Sequence, residues 1–442
     1  MKKLTEQRLG RSNKFFYYYM SQNASFDLRI KVTIRNLDIS RMKEAIGEAL
    51  RRYPELSART VIRGSVLTSV RNDEELLFIP RDGKSRCFAT EETNGYLLYF
   101  DYEGDSIEMY WYHGLSDVAG AYEYFKLVLY LYGVKTGFDF SEEEIDQIER
   151  QVRLTETVID ATNEADLLDP YGAYGDSTRT PEHTMDTKWA YAIPASDYPE
   201  EADYYHCVSL SVSCPAFIAE TKKYGTSFIP LLSDIISGAF RRAYTPGDKP
   251  VTAMVPVNLR KYFGSTTKVN CSDGVLIPYF QEDEALDIED RCRKWKKYMM
   301  DQSEPDNLAL IMGRKAGIVD AIEAQGAPIT DEVNKRTKLP NEATDFRAIS
   351  YALTYPGNLT LPEGLDRLTE DFCFEAYGRG CSVIVYTYKD MMNLQALCRS
   401  DEMKYGQTVA DAFRELGFEV SVRDMKRVRP NRMRIEKLDV IG

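Results

Sequence analysis

Apolar and polar residues alternate ahead of His113 and predict a β-strand with one apolar face. Ile107, Met109 and Trp111 fall on that face, because successive side chains of a strand point to opposite sides of the sheet. His113 continues the apolar face, so we expect its imidazole to point inward. Gly114 then allows the backbone to turn sharply at little steric cost.

The residues after this turn have a helical pattern. They predict an amphipathic helix from Asp117 to about Tyr132, with Ser116 as its N-cap,. A histidine at a strand end is therefore followed, four residues later, by a carboxylate at a helix start. Rigid folds often present functional side chains at such positions. An aromatic run at residues 15–19 is interpreted as core packing.

The same two periodicities recur along the chain and predict an α+β fold. The predicted strands are residues 26–35, 66–70, 76–79, 96–102, 107–112, 204–212, 251–257, 269–280, 346–354 and 420–422. One predicted helix is capped by Asp38 or Ser40, has its apolar positions within residues 42–50 and ends at Pro54. The other predicted helices are residues 117–132, 141–154, 215–224, 227–240, 285–300, 307–324 and 403–416. Residues 372–377 and 382–388 predict a β-hairpin around a glycine-containing turn,.

A stretch rich in Asp, Glu, Pro, Gly and Thr begins after residue 160 and has the composition of a linker,. We therefore expect an N-terminal lobe at residues 1–160, a crossover linker at 161–200 and a C-terminal lobe at 201–442. The second lobe repeats the succession of strands and helices seen in the first.

Charge and composition exclude several classes of protein. The chain has 56 basic and 69 acidic residues and a net charge of -13, which argues against nucleic-acid binding. The eight cysteines form no CxxC pair, so we expect reduced thiols in the cytoplasm and no metal site,. The N-terminus has no apolar segment typical of a signal peptide, and no apolar run is long enough to span a membrane,.

Histidine chemistry is most plausible at one position. Of the three histidines, His183 lies in the polar stretch and His206 at the start of a strand, and neither is followed by a glycine turn and a carboxylate. Two interpretations of His113 remain. It is either a buried core histidine, with Asp117 as a helix-start charge, or a general base supported by a carboxylate network.

Three motifs carry a resemblance to a known superfamily. His113 and Asp117, with Gly120 beyond them, form an HxxxD pattern. The segment VPVNLRKYF at residues 255–263, followed by Asn270, is more specific, and residues 37–59 are a weaker third match. Together they resemble the CoA-dependent acyltransferases. This superfamily includes chloramphenicol acetyltransferase, plant acyltransferases, alcohol acetyltransferases and peptide-synthetase condensation domains.

The resemblance implies an architecture and an activity. The fold would be two chloramphenicol-acetyltransferase-like lobes, each a two-layer α/β sandwich, with the active site in a channel between them. The reaction would move an acyl group from acyl-CoA to an alcohol or amine. No metal or permanently bound cofactor is expected; acyl-CoA would be a co-substrate and the acceptor a small molecule. An acyl carrier protein is a further candidate partner, and the protein is expected to be a monomer.

The resemblance also assigns roles to individual residues. His113 would be the general base, and Asp117 would pair with Arg260 to support the active site. Four further residues are carried over as candidates for substrate binding, among them possible stabilisers of the oxyanion. They are Gly120, Asn258, Asn270 and Thr354.

Three departures narrow the resemblance. Val118 stands where the superfamily often has glycine, the DFGWG motif of plant acyltransferases is missing, and Tyr112 replaces the first histidine of condensation domains. They favour a stand-alone transferase similar to alcohol acetyltransferases. Two alternatives stay open, namely a catalytically silent scaffold that binds an acyl or carrier partner, and condensation-type transfer from a carrier-protein thioester.

Overall fold

The computed structural model describes most of the chain. The described residues are 6–19, 24–152, 162–180, 190–191, 204–326, 349–399 and 404–441. The predicted exposure of His183 lies outside them. Within them, no helix is both long enough and apolar enough to cross a membrane.

The α-helices follow the predicted periodicity closely. They are α1 Arg11–Tyr19, α2 Ile39–Arg52, α3 Val118–Thr136, α4 Glu142–Glu149, α5 Glu164–Leu168, α6 Pro170–Tyr174, α7 Cys214–Lys223, α8 Phe228–Tyr244, α9 Arg260–Phe263, α10 Ile288–Gln302, α11 Pro305–Ala324, α12 Glu363–Leu368 and α13 Lys404–Glu415. The short helices α5, α6, α9 and α12 were not predicted, because four to six residues are too few for a clear period. Helix α1 was not predicted either.

The strands are more numerous than the prediction. They are β1 Glu6–Arg8, β2 Ala24–Thr33, β3 Ala58–Arg63, β4 Val66–Arg71, β5 Phe78–Pro80, β6 Cys87–Phe88, β7 Leu98–Glu103, β8 Ser106–Tyr112, β9 Tyr205–Ser213, β10 Val251–Asn258, β11 Ser272–Tyr279, β12 Tyr351–Thr354, β13 Phe372–Arg379, β14 Ser382–Tyr388, β15 Met391–Cys398, β16 Ser421–Val428, β17 Arg432–Met433 and β18 Val440–Ile441.

Two large sheets form the centres of the two lobes. The N-terminal sheet has the order β13-β2-β8-β7-β5, and the C-terminal sheet has the order β11-β10-β12-β14-β15-β9-β16. Helices α2 and α3 pack together on the first lobe, and α8 packs with α10 and α13 on the second. Each lobe has its own hydrophobic core, with Trp111 in the first and Trp295 in the second.

The predicted hairpin at residues 372–388 is wrong. β13 pairs antiparallel with β2 in the N-terminal sheet, whereas β14 pairs with β15 and β12 in the C-terminal sheet. The glycine-containing turn therefore carries the chain from one lobe to the other. A strand from residues 372–379 thus completes the sheet of the N-terminal lobe, although the division into residues 1–160, 161–200 and 201–442 stays a prediction.

The strand before His113 is confirmed, but both of its faces are buried. Glu108 and Tyr110 on the predicted polar face are only 9% and 7% exposed. Arg81 forms ion pairs with Asp101 at 2.7 Å and with Glu108 at 3.0 Å, and the Tyr110 hydroxyl donates to Asp101. This polar face is therefore an enclosed, charge-paired layer instead of a solvated surface.

Candidate active site

The turn that follows β8 is held in place by helix α1. The backbone N–H of His113 donates to the Phe26 carbonyl at 2.8 Å. The Asn13 side-chain amide donates to the carbonyls of Gly114 at 2.6 Å and Leu115 at 3.2 Å. A Cβ on Gly114 would lie 2.3 Å from the Tyr112 ring, so the turn accepts only glycine without a shift. The position of the histidine is thus fixed by three segments, namely strand β8, strand β2 and helix α1.

Aromatic rings enclose the His113 imidazole. The Phe16 ring stacks on it with a centroid distance of 4.3 Å and an interplanar angle of 16°, and the Phe26 ring meets it edge-on at 6.4 Å. Its Nδ1 is buried and makes no hydrogen bond with another described residue. The residue nevertheless remains partly exposed. The imidazole is therefore largely enclosed by aromatic rings, although the residue as a whole keeps some contact with the surface.

Burial is the main influence on the protonation of His113. It lowers the pKa of the imidazole, while the residue's own backbone carbonyl and the Asp117 carboxylate act in the opposite direction. The net pKa lies below the ordinary value of 6.5,. The imidazole is therefore neutral at neutral pH and has a lone pair available to accept a proton.

Asp117 links the helix start to the other lobe. It is the N-cap of α3, so the prediction of Ser116 in that position is wrong. Its Oδ1 accepts from Gly120 N at 3.1 Å, and its Oδ2 accepts from Arg260 Nη1 at 2.7 Å and from Cys271 N at 2.9 Å. The Ser116 hydroxyl instead donates to the Asp117 and Lys268 carbonyls.

Arg260 distributes its donors over the loop that follows it. Nε donates to the Thr267 carbonyl and Nη2 to the Val269 carbonyl, both at 2.8 Å. The expected contact between Asp117 and Arg260 is therefore present as one part of a larger clamp across the two lobes. Such a charge-assisted pair with additional backbone bonds is stronger than a neutral hydrogen bond.

The charges of the clamp are mutually stabilised. Burial alone would raise the pKa of Asp117, but Arg260 and the backbone N–H groups of Cys271 and Gly120 hold it below its usual value. Burial alone would lower the pKa of Arg260, but Asp117 raises it above its usual value. Both groups are therefore ionised at neutral pH,.

Gly120 lies where helix α3 touches the loop of the second lobe. A Cβ at this position would lie 2.1 Å from the Lys268 carbonyl oxygen. Lys268 in turn forms an ion pair with Glu123 on α3, and the Tyr53 hydroxyl donates to that carboxylate at 3.0 Å. The observed contacts of Gly120 are thus between lobes, and its predicted role in substrate binding stays a prediction.

The other predicted residues occupy three different settings. Asn258 Oδ1 accepts from Arg260 N at 3.1 Å, so it belongs to the clamp. Asn270 is fully buried beside the clamp, with its Oδ1 accepting from Ser272 and its Nδ2 unpaired among the described residues. Thr354 ends β12 and pairs with β14. In the described part of the chain, no hydrogen bond joins Asn270 or Thr354 to His113.

Sequence reasoning missed the residues that support the histidine from the N-terminal side. Asn13 and Phe16 lie on α1, and Phe26 lies in β2, where it adopts a positive φ of 51°. The aromatic run at residues 15–19 is a signal for them, although by itself such a run indicates core packing. Only Phe15, Tyr17 and Tyr18 of its described side chains are fully buried, whereas Phe16 faces the imidazole.

Comparison with known proteins identifies the fold. No family model and no curated protein matches this chain. Solved structures do match over nearly their whole length. Polyketide synthase associated protein 5 from Mycobacterium tuberculosis has a TM-score of 0.57 and 15% identity, and covers 94% of this chain and 98% of its own.

Two further matches are proteins of different kinds. TRI101 from F. sporotrichioides, solved with coenzyme A and T-2, has a TM-score of 0.57 and 10% identity over 95% of this chain and 99% of its own. The epimerization domain of tyrocidine synthetase B has a TM-score of 0.58 and 12% identity over 93% and 97%. This chain has the two-lobed fold of acyltransferases and condensation domains. The predicted fold class is therefore confirmed, and at these identities the likeness concerns the fold alone.

Proposed function

We propose that this protein is an acyltransferase that moves an acyl group from a thioester, with acyl-CoA as donor, to a small alcohol or amine. The observation that carries the proposal is the enclosed, neutral His113 imidazole beside the clamp of Asp117 and Arg260. A neutral imidazole is suited to take a proton from a hydroxyl or amine. The fold supports the proposal because it is shared by TRI3, a trichothecene 15-O-acetyltransferase, and by TRI101, which was solved with coenzyme A.

The reaction would proceed through a tetrahedral intermediate. As the acceptor oxygen or nitrogen attacks the thioester carbonyl carbon, His113 takes the acceptor's proton. The carbonyl oxygen becomes an oxyanion, which requires a nearby donor, and the unpaired Nδ2 of Asn270 is our candidate,. When the carbon–sulfur bond breaks, the leaving thiolate takes the proton from His113. The ester or amide and the free thiol are then released.

In this proposal Nε2 of His113 is the nitrogen that takes the proton. Nδ1 is enclosed, and the residue's own backbone carbonyl is the acceptor that affects its protonation. An Nδ1–H tautomer leaves the Nε2 lone pair for the acceptor's proton. In this proposal Asp117 and Arg260 do not touch substrate; they are positioning residues that fix the turn carrying His113.

The test is the release of free thiol from a panel of acyl-CoAs with candidate alcohols and amines. We expect turnover in the wild type, loss of turnover in His113→Ala, and no change in His183→Ala as the matched histidine control. Circular dichroism and thermal melting establish that each variant is folded. Activity retained in a folded His113→Ala protein would contradict the proposal. No turnover with any donor would favour the catalytically silent scaffold.

A further inference from the structure

Helix α1 connects His113 with helix α11. On one side of α1, Asn13 donates to two carbonyls of the histidine turn, and Phe16 stacks on the imidazole. Elsewhere on its surface, α1 packs against α11. The helix therefore touches the candidate active site and an element from the second half of the chain at the same time.

Ion pairs join α1 to α11. Lys14 Nζ lies 2.7 Å from Glu323 Oε1, and the Tyr18 hydroxyl donates to the same oxygen at 3.1 Å. Arg11 Nε donates to the Asp320 carboxylate at 3.0 Å. Residues 11, 14 and 18 share one face of the helix, because they are three and four positions apart. These contacts leave the other side of α1 for the histidine turn.

The buried pair is the stronger of these links. The Lys14 and Glu323 side chains are only 1% and 7% exposed, whereas those of Arg11 and Asp320 are 31% and 47% exposed. An exposed ion pair contributes little to stability, because water and salt screen it. Removal of one charge from a buried pair is costly, because the other charge stays in a poorly solvated place. The attachment of α1 therefore depends mainly on the buried pair.

Helix α11 is a firm support for this attachment. Its Val319 and Ile322 are fully buried in the core of the N-terminal lobe. Its Leu308 and Met312 lie in a smaller cluster together with Cys271, whose N–H belongs to the clamp. Both ends of α11 are thus packed, so a weakened contact with α11 should displace the shorter helix α1.

We propose that Lys14 and Glu323 are positioning residues for His113. Their ion pair holds α1 in the place where Phe16 covers the imidazole and Asn13 fixes the turn. This inference rests on the proposed function, since it names residues that set the position of the general base. Neither residue touches the substrate; both act through α1.

Loss of the pair has a defined consequence for the imidazole. Lys14→Met removes the positive charge that faces the Glu323 carboxylate, and that carboxylate is better solvated when α1 and α11 separate. Phe16 moves with α1, so water reaches His113. Burial is the main influence that lowers the pKa of His113, and Asp117 is the charged side chain that affects it. Hydration should therefore raise this pKa toward 6.5,.

Nuclear magnetic resonance observes the imidazole directly. The chain has three histidines, so untagged protein with carbon-13 in its histidine rings gives three signals, assigned by replacing each histidine with alanine. We expect His113 to titrate below 6.5 in the wild type and closer to that value in Lys14→Met. Glu323→Gln should shift the titration in the same direction, and it decides the test if Lys14→Met does not fold.

The two variants separate positioning from a direct effect of charge. Lys14→Met removes a positive charge and Glu323→Gln a negative one, so a direct effect would raise the pKa of His113 in the first variant and lower it in the second. Release of α1 raises it in both. Opposite shifts, or no shift in either folded variant, would overturn the proposal. The exchange Lys14→Glu/Glu323→Lys restores opposite charges and should return the pKa toward its wild-type value.

Lys294→Met is the matched control. Lys294 Nζ lies 2.6 Å from Asp283, whose side chain is 1% exposed, so this variant also removes one charge of a buried pair. We expect a lower thermal midpoint and no shift in the titration of His113. A shift as large as that of Lys14→Met would overturn the proposal, because any loss of stability would then act on the imidazole.

Kinetics relate the position of the imidazole to catalysis. With acyl-CoA as donor, Lys14→Met and Glu323→Gln should lower kcat by about tenfold or more, with KM little changed. The titration requires no turnover, so the two proposals fail separately. An inactive wild type in which both variants still shift His113 would contradict the proposed function and support the coupling through α1. An active wild type with no shift in the variants would overturn this inference alone.

Discussion

His113 and Asp117 show how much a single side chain depends on its neighbours. The alternation before His113 predicted an inward imidazole, and Phe16 and Phe26 enclose it. The spacing to Asp117 predicted a carboxylate at a helix start, and that carboxylate also accepts bonds from the second lobe. The apolar surroundings lower the pKa of His113, whereas the clamp keeps Asp117 charged.

The protonation of His113 should determine the acid limb of activity. Burial depresses its pKa below 6.5, so the neutral base persists as the pH falls through that value and is lost only at lower pH. We expect kcat/KM for acyl-CoA to stay constant down to about pH 6.5 and then decline. Asp117, the charged group that acts on the imidazole, stays ionised throughout this range.

The variant Phe16→Leu tests whether burial is the cause of the lowered pKa of His113. Loss of the stacked ring admits water to the imidazole, so the acid limb should move up toward pH 6.5. The readout is the pH profile of kcat/KM for both proteins. A wild-type limb centred above pH 6.5 would contradict the argument from burial.

The clamp should be needed for folding. Asp117 and Arg260 side chains are only 9% and 13% exposed, so Asp117→Asn leaves a buried guanidinium without its counter-charge. We expect a loss of about 3–5 kcal/mol in the free energy of unfolding, measured in urea. The exposed pair of Asp411 and Arg414 is the control, and Asp411→Asn should change stability little,. Equal losses of stability in Asp117→Asn and Asp411→Asn would show that the buried pair contributes no more than an exposed one.

At the level of elements, local pattern predicted what each segment is but not what it pairs with. The alternation of Phe372 and Phe374 with Cys373 and Glu375 fits a strand in either sheet. A hairpin is the shortest connection to β14, yet β13 joins β2 and leaves Lys426 of β16 to pair with Glu375. Pairing was decided by surfaces distant in sequence, which periodicity does not report.

Helix α3 meets the second lobe at Gly120, and this contact is a test of element packing. Gly120→Ala places a methyl group 2.1 Å from the Lys268 carbonyl, so the helix and the loop must separate. We expect a loss of about 1–3 kcal/mol in stability, together with lower activity. Denaturation and thiol release measure the two effects.

Gly47→Ala in helix α2 is the matched control. The nearest atom to its added Cβ would be an arginine side-chain nitrogen at 3.9 Å, so no contact is strained. Because alanine has the higher helix propensity, we expect this variant to gain about 0.5–1 kcal/mol. If Gly47→Ala were destabilised and Gly120→Ala unaffected, the close contact at Gly120 would not be what requires glycine there.

At the level of the molecule, chain crossings connect the two lobes. β13 enters the N-terminal sheet, and the C-terminal strands β17 and β18 pair with β6 and β3. Asn431 donates to the fully buried Asp27, and Lys14 pairs with Glu323 of α11 at 2.7 Å. The lobes therefore share strands and buried charges, instead of meeting only at a surface.

We expect these crossings to make unfolding a single cooperative transition. Trp111 lies in the first core and Trp295 in the second. In a Trp189→Phe background, Trp295→Phe leaves a reporter of the N-terminal lobe and Trp111→Phe a reporter of the C-terminal lobe. Urea titrations followed by fluorescence, each compared with circular dichroism of the same variant, should give coincident midpoints. In one variant the fluorescence midpoint could lie below the circular dichroism midpoint, and in the other variant above it. That result would mean that the lobes unfold independently.

The sequence by itself determined the long helices, the strand before His113 and the motifs that indicated an acyltransferase-like fold. These are local properties, because periodicity and turn chemistry act over a few residues. Only the tertiary structure decided that β13 crosses between lobes and that Phe16 stacks on the imidazole. Each of these contacts joins segments distant in sequence, so its energy depends on the packing of the whole chain.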